Sequence, residues 1–171
     1  MSNSKITSND ITVLALANEY CNLIENSLNS EKEEFIDSII KILPRIYIAV
    51  CDITSDDNND SDLYIEPSLQ EEQYESARLT IAQLLGEDDS YLEVFESDMK
   101  YSDTPIGASI SENLSDIYQE LFNLIATAKE ADEDDIPEIN QLLKENFANY
   151  WSQTLCNLLR AVNNLKFNIE N

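Results

Sequence analysis

The stretch that most limits the possible folds is residues 110–128. Its apolar residues are spaced as in a helix with one buried face. The apolar positions recur every three or four residues, as in an amphipathic helix. They are Ile110, Leu114, Ile117, Tyr118, Leu121, Ile125 and Ala128. The opposite face carries Glu112, Asp116, Gln119, Asn123 and Thr127. We therefore expect a central helix that packs one face on a core and presents an acidic face to water or to a ligand.

Start signals predict further helices along most of the chain. They lie at Asp10, at a capping box of Ser30 with Glu33, at Ser68, at Asp88 or Asp89, at Ser109 or Ser111, and at Pro137. Pro44 should kink or break the second helix, and residues Tyr91 to Phe95 should form a short one. The apolar period continues from Pro137 to Leu165, which predicts the longest helix of the chain.

Only two glycines occur in the 171 residues, which disfavours a turn-rich β fold and the Gly-rich loops that bind phosphates. The length suits one domain. We expect a disordered tail at 1–9 and a single all-α bundle of about six helices over 10–171, with a long C-terminal helix. An acidic loop at 52–67 and an irregular connection at 96–109 should separate the helices.

The chain carries 34 acidic and 10 basic residues, a formal charge of −24. Such a surface repels nucleic-acid phosphates and anionic membranes, so we expect neither as a partner. A basic protein or a second copy of this chain is the expected partner. The apolar run from Ile11 to Ala17 is too short for a membrane span or a signal peptide, which favours a cytoplasmic protein.

The sequence contains no histidine, and this removes His-based zinc and di-iron sites and the Ser-His and Cys-His nucleophilic pairs. A calcium-binding loop starting at Asp56 also fails, because Ser61 and Pro67 stand where Gly and Glu are needed. Carboxylates remain, and a Mg²⁺-dependent phosphohydrolase would use acidic pairs on adjacent helices. The candidates are Glu72, Glu75, Glu112 and Asp116. Solvated surface carboxylates explain the same residues without a metal, so we otherwise expect no cofactor.

Arginine tolerates partial burial when a carboxylate meets its guanidinium, so we expect Arg78 to form a structural ion pair beside the apolar face of its helix. Arg160 lies nearly opposite Trp151 on the last helix and should be exposed.

The aromatic side chains Tyr74, Tyr118, Tyr150 and Trp151 should belong to the core. The three cysteines, Cys21, Cys51 and Cys156, form no paired motif and should be buried as small hydrophobic residues.

Three segments resemble a family of bacterial proteins described as domain of unknown function 5063. The segments are Leu84–Phe95, Ile110–Glu120 and Asn146–Gln153 with Leu158–Ala161, so the resemblance covers roughly the C-terminal half. It implies an all-helical intracellular domain and carries no assigned chemistry. Its motifs single out a candidate functional cluster of Asp116, Tyr118, Gln119, Trp151 and Arg160.

The expected function is therefore a protein-interaction module without catalysis, because binding a basic surface needs no preorganised ligand geometry. The alternative is a Mg²⁺-dependent phosphohydrolase of the nucleotide pyrophosphohydrolase type.

Overall fold

A computed structural model describes residues 5–55, 62–93 and 106–167 and confirms the all-α fold. The helices are α1 (Ser8–Glu25), α2 (Lys32–Cys51), α3 (Glu71–Leu85), α4 (Ile110–Glu130), α5 (Ile136–Asn146) and α6 (Ser152–Phe167). Two short strands, β1 (Ser90–Glu93) and β2 (Ile106–Ser109), pair in antiparallel fashion with Ser90 opposite Ser109. No helix in the described ranges is both long and apolar enough to cross a bilayer.

Helix α4 lies at the centre, where it contacts α1, α3, α5 and α6. Leu114, Ile117 and Leu121 of its apolar face are buried, as the sequence pattern predicts. Tyr20 of α1 is buried against this face, and its hydroxyl donates to the Leu114 carbonyl at 2.8 Å. Ile125 departs from the prediction because it is only partly buried. These buried contacts place α4 in the core between α1, α3, α5 and α6.

The C-terminal helical run is long, as predicted, but it contains a π-helical turn, Phe147–Trp151, between α5 and α6. Phe147 and Trp151 are both buried, and their ring centroids lie 4.6 Å apart in an edge-to-face arrangement. Tyr47 of α2 contacts the Phe147 ring from the other side, with centroids 5.3 Å apart. Helix α6 then packs along α2.

The starts of α1 and α2 differ from the sequence prediction. The N-cap of α1 is Thr7, while Asp10 is the third residue of the helix and completes a capping box with Thr7 by accepting the Thr7 N–H at 2.8 Å. Helix α2 begins at Lys32 without a side-chain cap, because Ser30 instead donates its hydroxyl to the Asn26 carbonyl. Helix α2 also runs through Pro44 without breaking.

The third predicted start, at Ser68, is displaced as well. Helix α3 begins at Glu71, where the Gln73 side chain accepts the Gln70 N–H at 3.1 Å. The predicted cap residue Ser68 instead belongs to an extended segment, 66–70, which crosses α4. Gly86 ends α3 with φ of +59°, a conformation that suits glycine.

The short helix predicted at Tyr91 to Phe95 is wrong, since residues 90–93 form β1. Pairing with β2 satisfies the backbone groups of this segment, and such a partner cannot be recognised from local propensity. Phe95 and residues 96–105 of the predicted irregular connection lie outside the described residues. Of the predicted acidic loop, 53–55 and 62–67 lack helix and strand, and 56–61 lie outside the described residues.

Candidate functional site

The polar face of α4 is largely a contact surface for the chain that leads into α3. The Thr127 hydroxyl accepts the N–H of Glu66 at 3.0 Å. The Asn123 side-chain oxygen accepts the N–H groups of both Ser68 and Leu69 at 2.9 Å. The expectation that this whole face meets water or a ligand is therefore wrong for its C-terminal half, because the polar side chains bind backbone donors there.

Further towards the start of α4, the polar face meets Tyr74 of α3. The Tyr74 hydroxyl donates to the Asp116 carboxylate at 2.6 Å. Burial raises the pKa of Tyr74, and so do this hydrogen bond and the charges of Asp116, Glu112 and Glu75. Arg78 donates to both oxygens of Glu75 at 3.1 and 2.8 Å, which confirms the predicted ion pair. This corner is thus an acidic cluster in which two carboxylates already bind protein groups.

The four metal candidates therefore divide between two places. Glu75, Glu112 and Asp116 surround Tyr74, whereas Glu72 lines a cavity beside the end of α1. Within residues 5–55, 62–93 and 106–167, no group of three or more His, Cys, Asp or Glu side chains is placed to hold a metal ion.

The side chains at the five positions singled out by the family motifs lie in different surroundings. Tyr118 is 3% exposed and its hydroxyl donates to Glu25 of α1 at 3.0 Å. Trp151 packs on Phe147 in the core, and Arg160 is exposed and donates to the Leu92 carbonyl of β1. Asp116 faces α3 and Gln119 is exposed. The five residues do not share one site.

One concave feature of the described residues is an acidic groove of about 730 Å³. Its walls are residues 18–25 of α1, the segment 62–68, the end of α4 from Phe122 onward, and residues 131–139. Apolar side chains that line it include Phe122, Ile125, Ala126 and Ile139. Its carboxylates are Glu25, Asp62, Glu66, Glu130, Asp132 and Asp135. The volume falls in the range of ligand pockets, about 300–1,000 Å³.

Lys129 is the one basic residue that lines the groove in the described part of the chain. The cations of the described ion pairs are Lys32, Lys41, Arg45, Arg78 and Lys166, and their acidic partners lie outside the groove. Ion pairs within the described part of the chain therefore do not neutralise the groove carboxylates, and the mutual repulsion of these carboxylates favours a cationic ligand.

The groove does not offer a cysteine nucleophile. Burial, followed by the charge of Glu25, raises the pKa of the Cys21 thiol to about 12, and Lys129 opposes the shift. At neutral pH the thiol is protonated, and the thiolate is the reactive form. Cys51 and Cys156 are exposed, so the prediction that all three cysteines are buried is wrong for these two.

Local sequence patterns do not reveal this groove. The acidic run Asp132 to Asp135 indicates only that a helix begins near Pro137, and the loop at 52–67 indicates only a solvated segment. Neither pattern indicates that both segments meet the last turns of α1, because that contact exists only in the folded chain.

Together the fold and the groove define an acidic all-α domain with a concave, anionic surface. The chain belongs to the family described as domain of unknown function (DUF5063), whose family model matches residues 4–168. The match extends over nearly the whole chain, beyond the C-terminal half in which the sequence motifs were recognised.

A solved structure is similar in sequence and in fold. The chain is similar to the crystal structure of protein BF1032 from Bacteroides fragilis, with 29% sequence identity and a TM-score of 0.80. The similarity covers 94% of this chain and 93% of that chain. Among proteins with curated descriptions, none matches this sequence significantly.

Proposed function

We propose that this protein is a non-catalytic interaction module that binds a basic protein in the acidic groove, in the cytoplasm. The observation that supports this function is the groove itself, where six carboxylates meet an apolar floor and a single lysine. Opposite charge on a partner speeds association and disfavours wrong partners. The apolar floor, which includes Phe122 and Ile125, supplies surface that a partner can bury.

A basic protein fits this surface better than a second copy of the chain does. Each copy carries a formal charge of −24, so two identical grooves repel each other. Self-association would therefore need another surface.

The test compares two triple variants that lose the same charge. The groove variant combines Glu66→Gln, Glu130→Gln and Asp132→Asn. The control combines Asp52→Asn, Glu87→Gln and Glu145→Gln, which are exposed and lie outside the groove. Each immobilised protein is exposed to cell extract, and the retained proteins are identified, purified and measured individually.

We expect wild type and the control triple to retain the same basic protein with similar affinity, and the groove triple to lose it. Equal binding by both triples would show that general charge, and not the groove, is responsible. No binding by wild type to any basic protein would contradict the proposal.

The Mg²⁺-dependent phosphohydrolase remains the competing hypothesis, with Glu75, Glu112 and Asp116 near Tyr74 as its candidates, although the described residues contain no group of three or more side chains placed to hold a metal ion. It would use Mg²⁺ bound by these carboxylates and act on a nucleoside triphosphate. A panel of nucleotides assayed with and without Mg²⁺ tests it. Hydrolysis that Asp116→Asn abolishes without unfolding the chain would overturn the binding proposal.

A further inference from the structure

We infer that the groove recognises a basic segment of its partner through one lysine or arginine held at Glu25, with apolar side chains of that segment seated in cavities on both sides. This inference rests on the proposed function and names the feature of the partner that the site selects. It is based on the position of Glu25, the aromatic pair next to it, and a second cavity.

The second cavity adjoins the acidic groove at Glu25. Its volume is about 380 Å³, and it lies between the end of α1 and α3. Ile24, Leu28, Ala77 and Tyr118 contribute apolar surface to it. Glu25 lines both this cavity and the acidic groove, so its exposed carboxylate stands at their boundary. A chain that passes from one cavity into the other must cross Glu25.

Glu25 is poorly compensated by its own helix. It is the last residue of α1, and the last turn of that helix contains no basic residue. A carboxylate at the C-terminal end of a helix faces the negative end of the helix dipole, which is unfavourable without a cation. A positive charge from a partner would offset the unfavourable interaction of Glu25 with the helix dipole and its repulsion by the neighbouring carboxylates of the groove.

Tyr118 prepares the carboxylate for such a contact. Its buried hydroxyl donates to Oε1 of Glu25 at 3.0 Å, which restricts the orientation of the carboxylate. A carboxylate offers about four lone-pair positions, so Oε2 and part of Oε1 can still accept from a cation. Preorganisation of this kind lowers the cost of ordering the side chain on binding.

The aromatic pair of Tyr118 and Phe122 lies at the boundary between the two cavities. Tyr118 lines the second cavity and Phe122 lines the groove, and their rings meet edge to face with centroids 5.7 Å apart. Lysine and arginine side chains favour a position over an aromatic face next to a carboxylate, where the apolar stem packs and the charge is satisfied. Both cavities have volumes within the range of about 300–1,000 Å³ typical of ligand pockets, so each accommodates a flanking apolar side chain.

The test uses three synthetic peptides of equal length and charge, each with a central lysine. The first has leucines on both sides of that lysine, the second on one side only, and the third has serines on both sides. Binding to the full chain is measured by isothermal titration calorimetry for wild type, Glu25→Gln, Ser76→Trp and Glu145→Gln. Ser76 is exposed and lines the second cavity, so tryptophan there obstructs that cavity. Glu145 is exposed and outside both cavities, so its variant is the charge-matched control.

We expect the two-sided peptide to bind wild type most tightly. Glu25→Gln should weaken it by about tenfold, the loss typical of a hydrogen bond to a charged group, while Glu145→Gln changes it by less than about twofold. Ser76→Trp should remove the advantage of the two-sided peptide over the one-sided peptide.

Equal effects of Glu25→Gln and Glu145→Gln, or no advantage for the two-sided peptide on wild type, would overturn the inference. The proposed function has a separate readout, because the groove triple is measured against the whole partner. If the partner depends on the groove but none of these peptides binds wild type, the proposed function stands and this inference fails.

Discussion

Asn123 is the residue that determines where the chain enters α3. Its side-chain oxygen is the acceptor for two successive backbone N–H groups, of Ser68 and Leu69. Replacement by leucine keeps the approximate size and leaves both donors without that acceptor. We expect Asn123→Leu to lower the free energy of unfolding by about 1–3 kcal/mol, the cost of unsatisfied buried polar groups.

Urea denaturation would measure this loss, and hydrogen exchange at residues 66–70 would locate it. Gln119→Leu is the control, because Gln119 lies one turn earlier on the same face and is exposed. Its effect should stay within about 0.5 kcal/mol. Equal destabilisation by the two variants would show that the hydrogen bonds of Asn123 contribute little.

The ionised side chain of Glu120 lowers the stability of the native state. Burial raises its pKa above 4.5, and the charge of Asp116 raises it further. Because the folded pKa is raised, the cost of ionising Glu120 in the native state is absent well below the unfolded pKa of 4.5, grows as the pH rises above it, and is complete above the folded pKa. We expect Glu120→Gln to raise the melting temperature at pH 7 and to have no effect well below 4.5. A gain that is independent of pH would contradict this explanation.

At the scale of elements, an ion pair of Asp37 connects α2 with α6. Its carboxylate binds Lys166 of α6 and Lys41 of its own helix. The hydrogen bond from Lys166, followed by that from Lys41, lowers the pKa of Asp37 from 3.8 to about 2. A lowered pKa means that the stabilisation is complete above the unfolded value and is lost as the pH falls through the folded value.

We therefore expect Asp37→Asn to be less stable than wild type above 3.8 and to converge with it as the pH falls towards 2. Lys166→Gln should cost more than Lys41→Gln, because only Lys166 connects two helices. Melting temperatures of the three variants across this pH range provide the comparison. The reverse order of the two lysine variants would assign the effect to α2 alone.

Sequence patterns predicted the elements that carry their own period and missed those that depend on distant partners. Helix α4 was predicted because its apolar positions repeat within one segment. The start of α3 was misplaced because the N–H groups of Ser68 and Leu69 bond to Asn123, more than fifty positions away in the sequence. Strand β1 was missed because its partner β2 is also distant along the chain. The acidic groove cannot be recognised from local patterns for the same reason, since its walls come from three segments that are far apart in the sequence.

For the whole molecule, the formal charge of −24 opposes compaction and attracts cations. Salt screens both effects, since the Debye length falls from about 30 Å at 0.01 M to about 3 Å at 1 M. We expect added NaCl to raise the melting temperature while it slows association with a basic partner. Thermal unfolding and stopped-flow association, each followed over a salt series, measure the two trends. An association rate that does not change with salt would argue against electrostatic steering.

The π-helical turn Phe147–Trp151 has a consequence for how the length of the chain can vary. From Ile139 to Leu155 the apolar positions recur every four residues, more than the 3.6 of an α-helix, and the wider turn absorbs the surplus. Removing one exposed residue there, such as Ala148, should yield continuous α-helix with Leu143 and Leu155 still in the core. Removing Gln119 from α4 would instead rotate all later side chains of that helix by about 100°. Circular dichroism and melting curves should show that the Ala148 deletion keeps its helix content and stability, whereas the Gln119 deletion loses both. Related chains can therefore gain or lose a residue at the π turn without exchanging their buried and exposed faces.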